Sequence, residues 1–383
     1  MIPNSSGTAA AAADVALTPE QRQALRKRCT TILPGFDVPD AAGEFRQLAD
    51  WCAANGVEHD VYGKGALVEG FERRIAELLG KAAAVFMPSG VMAQLTALRI
   101  WTESARLPRF GMHPTSHLAH HEEQAFAALM HLHGVPVGDR LRSMTAADLE
   151  AIAQPLACAI VELPIREAGG QLPSWDELEA LKAAARARGV ALHMDGARLW
   201  ESAAHYAKSY AEIAAGFDSV YVSLYKGIGA FAGAMLAGDA AFVAQARLWR
   251  SRMGGTLYHV SPMVAAAAMR LDERLALMPA LHRRALAFAA ELRRHAWLRI
   301  NPQVPQANLL HVHFDAPADA VMQARDALAE EAGCWLFDNV RPVDVPGRSV
   351  TEIYVGDRLL AVDDALIGTL FERLAALVQR ALG

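Results

Sequence analysis

Apolar residues along this chain alternate between two rhythms. Mainly apolar runs at residues 83–86, 158–163, 190–194, 219–224 and 233–237 have the length and bounding residues of buried strands. Between them lie stretches of helical spacing, such as Phe71, Ile75, Leu78 and Leu79, or the capped start Ser174-Trp175-Asp176-Glu177-Leu178. Apolar strands separated by crossover helices predict an α/β fold, a mainly parallel sheet with helices on both faces. The pattern divides the chain into five stretches. Residues 1–17 read as a disordered tail, and Thr18-Pro19-Glu20 starts the first helix. Residues 18–60 read as an N-terminal helical segment broken near Leu33-Pro34-Gly35, and residues 61–260 as the large domain. One long connecting helix over 261–297 leads to a small α+β domain over 298–383, with strands at 309–314, 334–337 and 350–355.

Two of the strand-like runs stop at chemistry. The run 190–194 ends in Asp195-Gly196-Ala197-Arg198, and 219–224 ends in Tyr225-Lys226-Gly227-Ile228-Gly229. In an open α/β sheet, ligands bind beyond the carboxyl ends of the parallel strands, so these residues are expected together. A lysine facing an acid suits pyridoxal phosphate: the amine forms a Schiff base, and the carboxylate keeps the pyridine nitrogen protonated. The glycines after Lys226 are read as letting backbone pass close to the ring and phosphate. A dinucleotide fingerprint fails on spacing, because the glycine after Gly227-x-Gly229 is Gly233, one residue late. A second candidate loop is Met87-Pro88-Ser89-Gly90-Val91, where small residues open a helix whose first N–H groups can hold a phosphate.

These segments, HMDGARL, KGIGAFAG and the PSGVMA loop, resemble the threonine aldolase and aromatic amino acid β-eliminating lyase family of fold-type-I pyridoxal phosphate enzymes. Resemblance spans about residues 57–260. It implies a seven-stranded-type, aspartate-aminotransferase-like sheet and pyridoxal 5′-phosphate as cofactor. It assigns Lys226 to the cofactor aldehyde, Asp195 to the pyridine nitrogen, and Arg198 to the cofactor hydroxyl or the substrate carboxylate. Ser89, Gly90 and Val91 become the phosphate loop, His117 the residue stacked on the ring, and Ser223 a further phosphate candidate. Where the family carries a phosphate-binding arginine this chain has Tyr258, with Arg247, Arg250 and Arg252 as nearby substitutes. Three departures fall in the substrate half. Ile165 replaces a histidine that handles the substrate hydroxyl, Glu352 replaces an arginine that grips the carboxylate, and Cys29-Thr30-Thr31 occupies the place of a serine. Arg166 is taken as the substitute clamp, its fork matching a carboxylate, ahead of Arg341, Arg348 and Arg358.

The rest of the composition narrows the field. A net charge of −5 and the lack of any polybasic run give no case for nucleic acid. No apolar run reaches bilayer length, and the N-terminus lacks a signal peptide's basic region, so no membrane partner is expected. Four scattered cysteines read as reduced thiols of a cytoplasmic protein. The histidines of residues 113–121 match neither H-E-x-x-H nor H-x-x-E-H, so no metal site is expected. The leading reading is a lyase that cleaves the Cα–Cβ bond of a β-hydroxy-α-amino acid to glycine and an aldehyde, preferring a bulky apolar β-substituent over threonine. Two alternatives stay open: β-elimination from a Cβ-substituted amino acid, and a non-catalytic protein that only binds pyridoxal phosphate. The resemblance further implies a homodimer or homotetramer with the active site at the subunit boundary.

Overall fold

The computed structural model describes residues 17–37 and 39–383. The expected tail therefore lies outside the described residues but for Leu17. Thr18 accepts the Gln21 N–H while Gln21 bonds back to the Thr18 N–H, a capping box on the Pro19–Arg28 helix.

The expected sheet forms. In spatial order its seven strands are Ala83–Met87, Ala234–Gly238, Ser219–Ser223, Ala191–Gly196, Cys158–Glu162, Arg109–Met112 and His133–Pro136. All neighbours run parallel except Ala234–Gly238, which is antiparallel to both strands beside it. Strands Cys158–Glu162, Ser219–Ser223 and Ala234–Gly238 are buried at every position. Helices cover both faces, as strands buried on both sides require. Register places Glu162, Asp195 and Tyr221 side by side on three adjacent strands. Each strand delivers its last residues to the same edge, and the site forms there.

The Ser261–Leu292 helix carries the chain to the second unit. There an antiparallel sheet has the order Arg341–Pro342, Ser349–Tyr354, Leu309–Phe314, Leu298–Asn301. The helices Ala318–Ala332 and Asp364–Leu382 belong to the same unit. Its core includes Phe288, Phe314, Phe337 and Phe371. Position 334 does begin a strand, but it is only Cys334–Trp335 and lies outside that sheet, pairing in parallel with Thr31–Ile32. The N-terminal arm thus completes the small unit: Leu33 is buried in its core, and Arg22 bonds Asp326 at 2.8 Å.

Asp60 locks the start of the long helix to the large domain. Its buried carboxylate accepts the N–H groups of Gly63 at 2.7 Å, Val260 at 2.8 Å and Ser261 at 2.7 Å. Burial alone would raise its pKa, but these donors outweigh burial and hold it below the ordinary carboxylate value. Asp60→Ala is expected to cost about 2–3 kcal/mol in urea unfolding at neutral pH. A group with a depressed folded pKa stabilises above its unfolded value and loses that contribution as pH falls through the folded one. The gap between variant and wild type should therefore close in acid.

Candidate active site

A cavity of about 300 Å³ opens at the carboxyl edge of the sheet. Four separate segments line it: Pro88 to Val91 at a helix N-terminus, His117 and Glu122, Asp195 with Ala197 and Arg198, and Tyr225-Lys226 with Phe231 to Gly233. Glu162 and Pro164 complete the wall. Of the residues singled out from sequence, Ser89, Gly90, Val91, His117, Asp195, Arg198 and Lys226 meet here.

Local structure explains their placement. Ser89 caps the Gly90–Ala105 helix through the Met92 N–H, so the helix presents its first turn to the cavity. Gly90 is required by packing, since a Cβ there would lie 2.2 Å from the Tyr221 hydroxyl oxygen. Asp195 is nearly inaccessible, and its Oδ2 accepts from Gln94 Nε2 at 2.5 Å while Oδ1 accepts the Ala197 N–H at 3.0 Å.

Gln94 belongs to a relay that the sequence reading missed. Its Oε1 lies 2.8 Å from His193 Nε2, His193 Nδ1 lies 2.8 Å from Ser219 Oγ, and Trp101 Nε1 donates to that hydroxyl at 2.8 Å. Burial pushes His193 down to about 3, so it is neutral and must donate from one nitrogen and accept at the other. Only one direction satisfies all members: Trp101 to Ser219 to His193 to Gln94 to Asp195. The carboxylate accepts at the end of the relay and lines the cavity. An amide at the end of Pro88–Gln94 was the available signal.

Lys226 lines the same cavity. Burial pushes its pKa down to about 8, and the nearby Arg198 adds to this, while Asp195, Glu162 and Glu201 pull the other way. An amine so poised is deprotonated in useful amounts near neutral pH. His117 Nδ1 is 2.9 Å from Glu122 Oε1, a buried carboxylate that holds the ring in place.

Several expectations need correcting. Gly227 makes room for a side chain rather than for a ligand, because a Cβ there would lie 2.6 Å from Glu201 Oε1. Ser223 is buried outside the cavity lining, and its hydroxyl accepts the Lys226 backbone N–H at 3.3 Å. Arg247 pairs with Glu72, Arg250 donates to the Phe86 carbonyl at 2.8 Å, and Arg252 stacks on Trp249, so none of the three faces the cavity. Arg166 is not a free clamp either: its Nε and Nη2 bind Glu352 at 2.8 and 3.2 Å. That pairing also removes Glu352 as an exposed repelling charge. Burial would raise its pKa, but His311, 3.7 Å away, and the hydrogen-bonded Arg166 guanidinium bring it down to about 2. Ile165 is buried away from the lining, so the apolar surface comes instead from Pro164, Tyr225 and Phe231.

The donor set fits pyridoxal phosphate. A helix N-terminus for the phosphate, a relay-held carboxylate for a protonated ring nitrogen and an amine for the aldehyde line the same cavity. Arg198 adds a buried Nε that has no hydrogen-bond partner.

A sequence model of the family described as β-eliminating lyase matches residues 42–315. The chain belongs to the β-eliminating lyase family. It is a lyase, and its cofactor is pyridoxal phosphate. Among family relatives, a Listeria monocytogenes protein assigned as an L-allo-threonine aldolase is 34% identical, with 94% of this chain and 98% of that one covered and a TM-score of 0.86. An Exiguobacterium protein assigned as an aromatic amino acid β-eliminating lyase/threonine aldolase is 36% identical over 92% of this chain and 99% of its own, also at 0.86. The low specificity L-threonine aldolase of Escherichia coli K12 is 30% identical over 65% of this chain and 75% of its own.

Proposed function

We propose that this β-eliminating lyase cleaves the Cα–Cβ bond of a β-hydroxy-α-amino acid, releasing glycine and an aldehyde. The observation that carries the reading is the meeting of Lys226, Asp195 and the Gly90–Ala105 helix N-terminus in one cavity. In this reading Lys226 holds the cofactor and is freed when substrate binds. Asp195 faces the pyridine nitrogen, Ser89, Gly90 and Val91 hold the phosphate, and His117 covers the ring. Bound pyridoxal phosphate supplies an electron-accepting ring for the pair left on Cα when the bond breaks. Arg198, with its unpartnered Nε, takes the substrate carboxylate in place of Arg166. Pro164, Tyr225 and Phe231 offer apolar surface to the β-substituent, and burying such a side chain is worth on the order of 1.5–3 kcal/mol. A larger kcat/KM for a phenyl-substituted β-hydroxy amino acid than for threonine is therefore expected.

β-Elimination remains the second reading, favoured by Ile165, since loss of a leaving group from Cβ needs no base for a hydroxyl. Assaying the two amino acids for glycine plus aldehyde, and a panel of Cβ-substituted amino acids for keto acid plus ammonia, separates the readings. Keto acid as the sole product would overturn the aldol assignment.

The proposal includes a homodimer or homotetramer with the site at the subunit boundary, supported by the family resemblance and by the exposed Tyr62 and Tyr258 rings, whose centroids lie 5.3 Å apart. Sedimentation of an active monomer would remove it. It also includes a cytoplasmic location, supported by four cysteines that are all free thiols.

A further inference from the structure

We propose that Glu162 is a catalytic residue, the base that takes the proton of the substrate's β-hydroxyl as the Cα–Cβ bond breaks. This rests on the aldol-cleavage reading above.

Three carboxylates line the cavity, and two are committed. Asp195 is held by Gln94 and Glu122 by His117. Glu162 lies in register beside Asp195 on the next strand, buried, and shares the cavity with Lys226. Its Oε1 accepts the Arg166 N–H at 3.0 Å and its Oε2 accepts the more distant His117 N–H at 3.4 Å. Both are backbone contacts, which fix the carboxyl group without neutralising it. The guanidinium best placed to do so, that of Arg166, is turned to Glu352. The carboxyl group therefore keeps lone pairs for a proton. Ile165, in place of a histidine, sits three residues on and outside the lining, so the hydroxyl needs another acceptor.

Titratable groups surround Glu162: Asp195 from the neighbouring strand, His117 and Lys226 from other walls of the cavity, and Arg166 from its own segment. Burial, reinforced by Asp195, pushes its pKa up to about 7, near the value a general base needs in neutral solution. The proton balance closes within the cavity. Glu162 takes the hydroxyl proton, the O–H electrons form the aldehyde C=O, and the Cα–Cβ pair stays on Cα. Cα then takes a proton from the Lys226 ammonium, and the proton on Glu162 passes to the amine, restoring both groups.

The test compares wild type, Glu162→Gln and Glu162→Asp as holoenzymes with a phenyl-substituted β-hydroxy amino acid. In parallel, exchange of the glycine Cα hydrogen in deuterium oxide measures a step that needs no hydroxyl base. Cleavage by Glu162→Gln should fall about 10²–10⁴-fold while exchange falls far less, and the acid limb of the kcat/KM profile near pH 7 should vanish. Glu162→Asp, keeping a carboxylate one methylene back, should recover part of the loss. A readout free of cofactor is the melting of the apoprotein. Folded Glu162 keeps its proton to higher pH than the unfolded chain does, so its burial costs stability as pH rises from about 4.5 to about 7. Between pH 5 and 8 wild type should therefore lose about 2–5 °C more than Glu162→Gln. Undiminished cleavage, equal losses of cleavage and exchange, or parallel melting curves would each overturn the proposal. If wild type forms no glycine and aldehyde, the parent reading has failed, and that control shows it independently of the variants.

Discussion

Lys226→Ala is expected to abolish the covalent attachment of cofactor and to lower turnover on the order of 10⁴–10⁶-fold, the scale seen when a nucleophile is deleted from a group of residues that act as a unit. The lysine is the amine whose surroundings favour its neutral form: burial and Arg198 lower its pKa to about 8. Ser223 fixes its backbone N–H, and Gly227 lets Glu201 pack beneath the next residue. Alanine removes the amine without disturbing either contact, so the apoprotein should fold normally. Borohydride reduction followed by peptide mass spectrometry checks the assignment. Wild type should carry the reduced cofactor on the peptide containing Lys226, and the variant should carry none. Reduced cofactor on another lysine of the variant would sink the assignment.

Asp195→Asn should lower turnover by about 10²–10³-fold, the usual consequence of losing one preorganised charge aimed at the reacting system. The substitution is nearly isosteric but has the wrong hydrogen-bond polarity. Gln94 presents its NH₂ to position 195 because its carbonyl is held by a neutral His193. An asparagine that offers its carbonyl to Gln94 must turn its NH₂ toward the Ala197 N–H and the cavity, where it loses one bond and presents a donor that cannot keep a pyridine nitrogen protonated. Cofactor affinity, measured by equilibrium dialysis, should fall as well. Breaking the relay upstream with Gln94→Ala should reproduce part of the defect with Asp195 intact. Near-normal turnover of Asp195→Asn would show that the carboxylate does not serve the ring.

How much of this was legible in the chain follows from distance along it. Lys226, Asp195 and Arg198 could be read because each sits just past an apolar strand, and sheet geometry sends parallel strand ends to one edge. The Ser89-Gly90-Val91 loop was readable for the same reason, a strand followed by a capped helix. Partnerships were not readable. Gln94 meets Asp195 across 101 positions, and Arg166 meets Glu352 across 186. Sequence alone offered a free arginine and an opposed glutamate there; folding made them one another's partner, and so changed the expected carboxylate contact from Arg166 to Arg198.

The N-terminal arm follows the same logic. Its Thr31–Ile32 strand is too short to carry a period, and it exists only because Cys334–Trp335 lies beside it. By itself, then, the sequence determined the layered α/β architecture, the family and the lysine–aspartate pair, because hydrophobic periodicity and strand-end chemistry are local. Only the tertiary structure decided which polar groups are spent on each other and which remain to do chemistry, since a side chain's hydrogen-bond partners and desolvation depend on neighbours that the chain brings from far away.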